Sequence, residues 1–489
     1  MKIVNKFAGL TTLNLLFSVE AKIYTILAEK AILPTSYEPQ PATIQVDDQS
    51  GKILDVFGGI RNDKEVGDVV KVDEKDIILP GLVDSHVHIN DPGREEWEGF
   101  DTATQAALSG GVTALIDMPL NSIPPTTTIE GLDAKKDATV GRIHSDIGFW
   151  AGSVPGNEEH LEALLEQEGV FGFKSFMIDS GVDEFSSVSP EDIKMAFKEL
   201  TDVAKRGKNV TMLFHAEKET KKIDEKIEKN IEGKSTQEYS TYLLTHPEEY
   251  ELEAISTLIE IMKEYPDIHV HIVHLSTAKA LPMIRQARAD GMKLTVETCF
   301  HYLYFNSEEI PSARVEYKAA PPVRDSANNQ LLWKAIKDGD IDLITSDHSP
   351  ADAETKKIDK GDFLDGWGGI ASLGLGFQAL YTKIQKGGGL AFSIGQLVEL
   401  TSRNPAILAG FDDRKGSIKK GLDADFTIFS SDEKYVVKNE DIHYKHQISP
   451  YLGDEFIGRI TQTYLRGVKV FDYSNNGLLE AEQATGKIM

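Results

Sequence analysis

The chain has 489 residues, of which 40% are hydrophobic and 27% are charged, a composition typical of a globular protein with about two or three domains. Its 78 acidic and 52 basic side chains give a formal net charge of −26. This charge disfavours nucleic acid and anionic membranes as partners, because both are bound largely through lysine and arginine. The single cysteine, Cys299, excludes an internal disulfide, and we expect a reducing, cytoplasmic location.

The first 21 residues form an N-terminal extension with a mixed character. Lys2 and Lys6 precede a stretch without acidic residues, 7–19, which has loosely the shape of a signal or transit segment. Polar residues interrupt this stretch, so two interpretations stay open. It is either a targeting segment, leading to the secretory pathway or an organelle, or an irregular extension. No window of the sequence approaches the 18 consecutive apolar residues of a membrane helix.

Short strand-like segments occupy both ends of the chain. Residues 22–80 contain apolar runs separated by turns rich in Gly, Asp and Asn, a pattern typical of β-strands. The same pattern returns at 411–475. We predict that these two segments build one small β-sandwich domain together, with 476–489 as a C-terminal tail.

Between these ends, residues 81–410 alternate short apolar strands with longer helical stretches that have apolar residues at spacings of three and four. Eight such alternations predict an α/β fold, a TIM-type (β/α)8 barrel carrying insertions. A doubly wound sheet is the alternative. The charged stretch 217–234 is predicted to be a solvated helix or insertion. The predicted strands are LVDSHVHI, TALIDMP, SDIGFWAG, FGFKSFM, VTMLFHA, HVHIVHLS, KLTVETC and IDLITSD.

His86 and His88 form a pair inside the first predicted barrel strand. Alternate residues of a strand point to the same face, so both imidazoles lie on one side. The turn-forming sequence INDPGR follows directly, which places the pair near the carboxyl end of the strand, where barrel enzymes build their active sites. The alternatives are a surface pair or two core histidines bonded to backbone.

Similar residues recur at the ends of later strands. His215 closes VTMLFHA, His274 closes HVHIVHLS and Asp347 closes IDLITSD. His269 and His271 form another histidine pair, but they lie earlier in their strand and on the opposite face from His274. We therefore interpret those two as structural, and the other three as candidates for a site at the rim of the barrel.

Four histidines and an aspartate suit a divalent metal such as Zn²⁺, which takes imidazole and carboxylate ligands. A single catalytic zinc usually keeps three protein ligands, so two metals with a bridging anion fit better. No carboxylate ends the strand FGFKSFM; Lys174 does, flanked by Phe171, Phe173 and Phe176. The alternative for Lys174 is a surface or salt-bridged lysine, although lysine shifts its pKa readily when buried.

Together these motifs resemble the amidohydrolase superfamily, in its cyclic-amidase branch of dihydroorotases, hydantoinases/dihydropyrimidinases and allantoinases. The resemblance covers nearly the whole chain after residue 21, including GLDADFTIF. It implies that carbon dioxide carboxylates Lys174, giving a carbamate that bridges two divalent metal ions, with zinc expected. It also implies that Asp347 is the general base. The remaining metal ligands that it implies are His86, His88, His215 and His274, joined by Asp347.

Within this branch the motifs are most similar to those of allantoinases. Dihydroorotases have an arginine two residues after the histidine pair, which binds a substrate carboxylate; this chain has Asn90. Losing that anchor favours a neutral ureide such as (S)-allantoin. Asn121 matches a substrate-contacting position, and Cys299 matches a residue whose main chain contacts the cyclic amide, although Cys299 is equally well explained as a small buried strand residue. The motifs that carry the match are HVHINDPGREEWEGF, DMPLNSIPPTTT, KSFMIDSGVDEF, ETCFHYLYF and WGGIASLGLG.

The resemblance implies a hydrolysis in which a hydroxide between the metals attacks a ring carbonyl of allantoin to give allantoate. Asp347 then passes the hydroxide's proton to the departing ring nitrogen. A homotetramer is implied by the same resemblance. Two alternatives stay open: a hydantoinase or dihydropyrimidinase that uses the same site, and a non-catalytic dihydropyrimidinase-like scaffold. The scaffold is disfavoured because every expected metal ligand is present.

Overall fold

A computed structural model of the chain describes residues 23–387, 392–475, 477–478 and 485–489. The extension interpreted as a possible targeting segment, 1–21, lies outside the described residues. Among the described helices, none has both the length and the apolar character needed to cross a membrane.

The N-terminal part of the structure is β-rich, as the sequence predicts. Its first two strands are antiparallel, and they pair Ile26 with Ile44 at the centre of their register. The strands are β1 (Ile23–Ala31), β2 (Gln40–Asp47), β3 (Lys52–Gly58), β4 (Asp68–Lys71) and β5 (Ile77–Pro80).

The next eight strands form a parallel sheet in which sequence neighbours pair throughout. At its ends, the His88 N–H donates to His348 O at 2.8 Å, which joins the last strand to the first. The predicted TIM-type barrel is thereby confirmed, and the doubly wound alternative is wrong. The strands are β6 (Leu82–Val87), β7 (Val112–Asp117), β8 (Asp146–Gly152), β9 (Val170–Phe176), β10 (Thr211–His215), β11 (His269–Ile272), β12 (Leu294–Cys299) and β13 (Leu343–Thr345).

Helices follow the barrel strands and cover the sheet. Every residue of β8 is buried, as expected where helices cover a parallel sheet whose interior is filled. The longest of the described helices shows why such segments form: Ser189 caps it in a capping box with Asp192, and it buries Ile193, Phe197 and Leu200 on one face.

The helices are α1 (Phe100–Ser109), α2 (Ile129–Thr139), α3 (Leu161–Leu165), α4 (Pro190–Lys205), α5 (Lys221–Ile231), α6 (Tyr239–Thr245), α7 (Glu248–Met262), α8 (Leu281–Ala289), α9 (Phe300–Tyr304), α10 (Ser326–Asp338), α11 (Gly376–Gln385), α12 (Ile394–Val398) and α13 (Asn404–Ala409).

The C-terminal strands return to the N-terminal sheet. β14 pairs antiparallel with β5, so strands from both ends of the chain share one nine-stranded sheet in the order β17-β16-β15-β14-β5-β1-β2-β3, with β4 beside β1. The predicted joining of the two ends is confirmed, whereas the domain boundaries at 80 and 410 stay predictions. These strands are β14 (Phe426–Val436), β15 (Glu455–Leu465), β16 (Val468–Asp472) and β17 (Gly477–Leu478).

The amino-terminal end of the barrel is closed by side chains from distant segments. Met489 is buried and belongs to the same apolar cluster as Trp150, Leu213 and Phe411. Its backbone N–H donates to Ile147 O at 2.9 Å, which ties the end of the chain to β8. The barrel is therefore a packed core, and its free space lies at the carboxyl ends of the strands.

Candidate active site

All six predicted metal-site residues lie at the carboxyl ends of barrel strands. Each is buried, with at most 7% of its surface exposed. Because parallel strands end at one rim, residues far apart in sequence meet there. The six are His86 in β6, His88 just after it, Lys174 in β9, His215 at the end of β10, His274 after β11 and Asp347 after β13.

His86, His88 and Asp347 form one half of this cluster. His86 Nε2 lies 3.1 Å from Asp347 Oδ1, and His88 Nε2 lies 3.4 Å from the same oxygen. One ligand atom from each residue falls within 4.8 Å of the others, a spacing that can hold a metal ion. Burial would raise the pKa of the Asp347 carboxyl, but His86, His88 and His274 together outweigh burial and hold the pKa well below its usual value.

His215 and His274 form the other half. Their ring centroids lie 4.6 Å apart, and the His274 ring lies 5.4 Å from that of His86, so the imidazoles form one continuous group. Burial lowers the pKa of His215 to about 3, which leaves the ring neutral and able to bind a metal. His274 Nδ1 is buried and makes no hydrogen bond within the described residues.

The Lys174 amine lies inside the same cluster. Its Nζ is fully buried, has no hydrogen-bond partner among the described residues, and lies 5.0 Å from the Phe176 ring centroid. Burial lowers its pKa to about 8, so the neutral amine forms at a lower pH than in an exposed lysine. The interpretation of Lys174 as a surface lysine is therefore wrong. Unpaired buried nitrogens among imidazoles and a carboxylate fit a site for divalent metals.

Glu297 supports this cluster, and the sequence analysis did not identify it. Its carboxylate is completely buried and lies 2.5 Å from His86 Nδ1 and 3.1 Å from His271 Nε2. It also accepts a hydrogen bond from the His274 backbone N–H at 3.3 Å. Burial would raise its pKa, but His86 and His271 lower it to about 2. Its position near the end of the predicted strand KLTVETC could have identified this carboxylate from the sequence.

His269 and His271 make hydrogen-bond contacts with threonine side chains of neighbouring strands. His271 Nδ1 lies 2.8 Å from Thr295 Oγ1, and His269 Nε2 lies 2.7 Å from the same oxygen. His269 Nδ1 lies 3.2 Å from Thr211 Oγ1. Neither ring is among the cavity-lining residues of the described chain, which agrees with the sequence interpretation, while His271 has the further contact with Glu297.

A cavity of about 120 Å³ opens beside the cluster. His88, His215, His274 and Asp347 line one side of it. The other lining residues come from the end of β9 and from segments between or after the barrel strands, namely Leu120, Asn121, Phe176, Ile178, Asp179, Ser180, Glu217, His246, Ala320, Ser349, Trp367, Gly368 and Gly369. The volume suits a small ring more than a polymer.

Asn121 lines this cavity, where the sequence places a substrate contact. Its Nδ2 donates to Asn90 Oδ1 at 3.1 Å, and Arg94 Nη1 donates to the Asn121 backbone oxygen at 2.6 Å. Asn121 Oδ1 is buried and has no partner among the described residues. Asn90 itself does not line the cavity, so its side chain acts on the cavity through Asn121.

Four residues of the site have left-handed backbone. The φ angles are 66° at Asn90, 70° at Asn121, 40° at His274 and 44° at Asp347. Non-glycine residues rarely adopt such values, and where they do the surrounding structure holds them in place. The loops at this rim of the barrel are accordingly built around these four positions.

Cys299 ends β12 and is completely buried. Its Sγ lies 3.8 Å from Thr345 Oγ1, and burial raises the pKa of the thiol well above its usual value, so it stays protonated. Cys299 is not among the cavity-lining residues of the described chain. Its expected main-chain contact with a cyclic amide stays a prediction.

Glu217 is buried, although the sequence predicts that the charged stretch it begins is solvated. The charged stretch 217–234 was expected to be solvated, and α5 within it buries no residue, which confirms that part. Glu217, however, is only 1% exposed, and its Oε2 lies 2.8 Å from His215 Nε2. Only the fold shows that this first residue of the stretch still belongs to the rim of the barrel.

Comparison with known proteins agrees with this geometry. The model of the amidohydrolase family matches residues 77–470. The allantoinase of Saccharomyces cerevisiae is 41% identical over 448 residues, covering 89% of this chain and 93% of that protein. The probable allantoinase 2 of Dictyostelium discoideum is 42% identical, covering 82% and 79%. The L-hydantoinase (dihydropyrimidinase) of Arthrobacter aurescens superposes with a TM-score of 0.84 at 28% identity, covering 95% and 99%.

Proposed function

Because the chain belongs to the amidohydrolase family, we propose that it hydrolyses (S)-allantoin to allantoate, as an allantoinase in purine and ureide catabolism. The buried cluster of four imidazoles, one carboxylate and one lysine beside a cavity of about 120 Å³ is the observation that carries this proposal. Allantoinases about 40% identical over most of the chain support the choice of ring.

Two divalent metal ions, with zinc expected, are proposed as cofactors. His86, His88, His215 and His274 would hold them with Asp347, and Lys174 would bridge them after carbon dioxide converts its amine to a carbamate. The neutral fraction of the Lys174 amine is the form able to attack carbon dioxide. When bound, the ions supply Lewis-acid polarisation of a carbonyl and an activated water.

The residues of this chain then have defined tasks. Asp347 keeps its carboxylate ionised beside His86 and His88, so Oδ1 can accept the proton of the attacking water and deliver it to the departing ring nitrogen. Asn121 lines the cavity and has an unpartnered Oδ1, which would orient the ring by accepting a hydrogen bond from one of its N–H groups. The surrounding wall of Phe176, Ile178 and Trp367 limits the access of bulk water.

A neutral substrate fits the charge of the site. The position two residues after the histidine pair holds Asn90, whose side chain is engaged with Asn121. No arginine stands there to pair with a substrate carboxylate. The net charge of −26 further disfavours an anionic ring through its overall field.

A ring-opening assay tests the proposal. Metal-loaded protein supplied with bicarbonate is incubated with allantoin, hydantoin or dihydrouracil, and each open-chain product is quantified. The proposed function requires allantoin to have the highest kcat/KM of the three. A preference for hydantoin or dihydrouracil would establish the hydantoinase alternative instead, and the superposition with an L-hydantoinase makes this the natural competitor. Failure to open any ring with both metals bound would favour the scaffold interpretation.

Assembly and location are proposed by resemblance as well. We propose a homotetramer, for which sedimentation equilibrium should give about four times the chain mass of 54.0 kDa. We also propose a cytoplasmic location. Imaging the full chain beside a variant that begins at residue 22 tests it, because a targeting segment would send only the full chain to an organelle or the secretory pathway.

A further inference from the structure

Beyond the metal cluster, three buried polar atoms of the cavity wall have no hydrogen-bond partner among the described residues. They are Asn121 Oδ1, Glu217 Oε1 and Trp367 Nε1. A buried polar atom without a partner costs free energy, so each of these atoms calls for a complementary group in the cavity. Two are acceptors and one is a donor. The ligand that satisfies them carries at least two N–H groups and one carbonyl oxygen.

Glu217 carries the inference furthest of the three, because the two oxygens of its carboxyl group differ: one has a partner and the other has none. One of its oxygens, Oε2, is already taken by His215 Nε2 at 2.8 Å. Arg324, the nearby cation, donates through Nη2 to Glu251 Oε2 at 2.6 Å and through Nη1 to His246 O at 3.2 Å, and its buried Nε has no hydrogen-bond partner among the described residues. Glu217 Oε1 makes no hydrogen bond within the described residues, and Glu217 is one of the residues that line the cavity.

Resting on the proposed function, we propose that Glu217 is a specificity-determining residue whose Oε1 accepts a hydrogen bond from the ureido substituent of the substrate. Bare hydantoin and allantoin share the ring that Asn121 and the metal cluster face. Allantoin adds a ureido tail with further N–H groups, and Glu217 supplies the acceptor for them. The site thereby favours a ureido-bearing ring over the unsubstituted one.

A simpler role for Glu217 would be to orient His215 alone, as carboxylates commonly do for metal-binding histidines. That role predicts an equal loss for every substrate, because the metal centre serves all of them. The substitution Glu217→Gln separates the two roles. Its side-chain oxygen can still accept from His215, while an NH₂ group replaces Oε1 and meets the N–H groups of the tail as a second donor.

The test compares Glu217→Gln with Glu297→Gln, a matched control. Glu297 also bonds a metal-site histidine, but it is not among the residues that line the cavity. Allantoin kcat/KM and the affinity for hydantoin, as substrate or competitive inhibitor, are measured at equal metal content. We expect Glu217→Gln to lower kcat/KM for allantoin by roughly 10- to 100-fold and to change hydantoin affinity far less. Glu297→Gln should weaken both alike.

Calorimetric binding to metal-loaded Asp347→Asn, which is expected to keep its metal without turning substrate over, gives a second measurement. This protein, with Glu217 intact, is expected to bind allantoin roughly 10- to 100-fold more tightly than hydantoin. Equal binding of the two rings, or equal losses for both rings in Glu217→Gln, would overturn the role of Glu217. Absence of allantoin hydrolysis by the wild type would refute the proposed function instead, and the binding ratio would still decide the inference.

Discussion

Replacing Glu297 with glutamine is expected to weaken metal binding without displacing any metal ligand. Glu297 is completely buried and lies 2.5 Å from His86 Nδ1. If His86 binds a metal through Nε2, its Nδ1 carries a proton, which Glu297 accepts. This carboxylate fixes the orientation of the imidazole and increases its basicity. A neutral amide accepts the same proton more weakly, and its NH₂ group faces the second ring, His271.

The size of the effect follows from these contacts. Loss of a carboxylate that orients a metal-binding histidine typically lowers metal affinity by roughly 10- to 100-fold, which corresponds to about 1.4 to 2.7 kcal/mol. The metal-free fold should also lose about 1 to 3 kcal/mol, because a buried hydrogen-bonding group next to His271 is left without a suitable partner.

Competition with a chelator of known affinity measures the change in metal affinity. Urea unfolding of the metal-free protein measures the change in its free energy of unfolding. Asp441→Asn is a suitable control. The Asp441 side chain is 6% exposed and its carboxylate accepts from Arg459 Nη1 at 2.7 Å, and it has no hydrogen bond to the six residues of the cluster among the described contacts. The control should lose stability and keep its metal affinity. Unchanged metal affinity in Glu297→Gln, with His86 still folded in place, would refute the reasoning.

Two further predictions concern residues of the site, and two concern positions outside it. Asp347→Asn should lower kcat by roughly 10²- to 10⁴-fold while elemental analysis still finds metal on the histidines. Lys174→Ala should lose metal, and intact-mass measurement of the wild type in bicarbonate should show the added mass of a carbamate. Met489→Asp should destabilise the closed end of the barrel by about 2 to 5 kcal/mol in urea unfolding, since it removes a buried apolar side chain and buries a carboxyl. Burial lowers the pKa of Lys356 to about 7, below its unfolded value of about 10.4. Between those values the unfolded chain binds more protons, so the stability of the wild type relative to Lys356→Met should rise with pH.

Each of these has a contradicting result. Full turnover by Asp347→Asn would remove it as the base. Normal metal content in Lys174→Ala would exclude a bridging role, and an unchanged unfolding midpoint for Met489→Asp would mean that the end of the chain does not pack against the barrel in solution. A pH-independent difference for Lys356→Met would place its ammonium group in contact with water in the folded protein.

Much of the candidate site could be predicted because parallel strands end at one rim. His86, His215, His274 and Asp347 each close an apolar strand in the sequence, and once the barrel is assumed they share an edge. Lys174 was identified for the opposite reason: it stands where a carboxylate was expected. These placements use only strand periodicity and residue type, which are local properties, whereas the role of Lys174 as a carbamate was implied by the resemblance to the amidohydrolase superfamily.

The contacts of Glu297 and Glu217 could not be predicted in the same way. Glu297 contacts His86 across a sequence separation of 211 residues. The local sequence KLTVETC does not predict which side chain the carboxylate contacts. Glu217 begins a charged stretch, and charge along a sequence normally indicates solvent. Glu217 is buried because it lies only two positions after His215, which is at the rim.

The sequence by itself therefore determined the barrel, the joining of the two chain ends in one sheet, and the residue types that gather at the rim. These features follow from hydrophobic periodicity and strand direction, which short segments of sequence determine. Only the tertiary structure decided which buried groups remain without a partner, such as Asn121 Oδ1 and Glu217 Oε1. Hydrogen-bond satisfaction is a property of all the segments that converge on a point. On our proposal, the substrate preference of this chain depends on those two atoms.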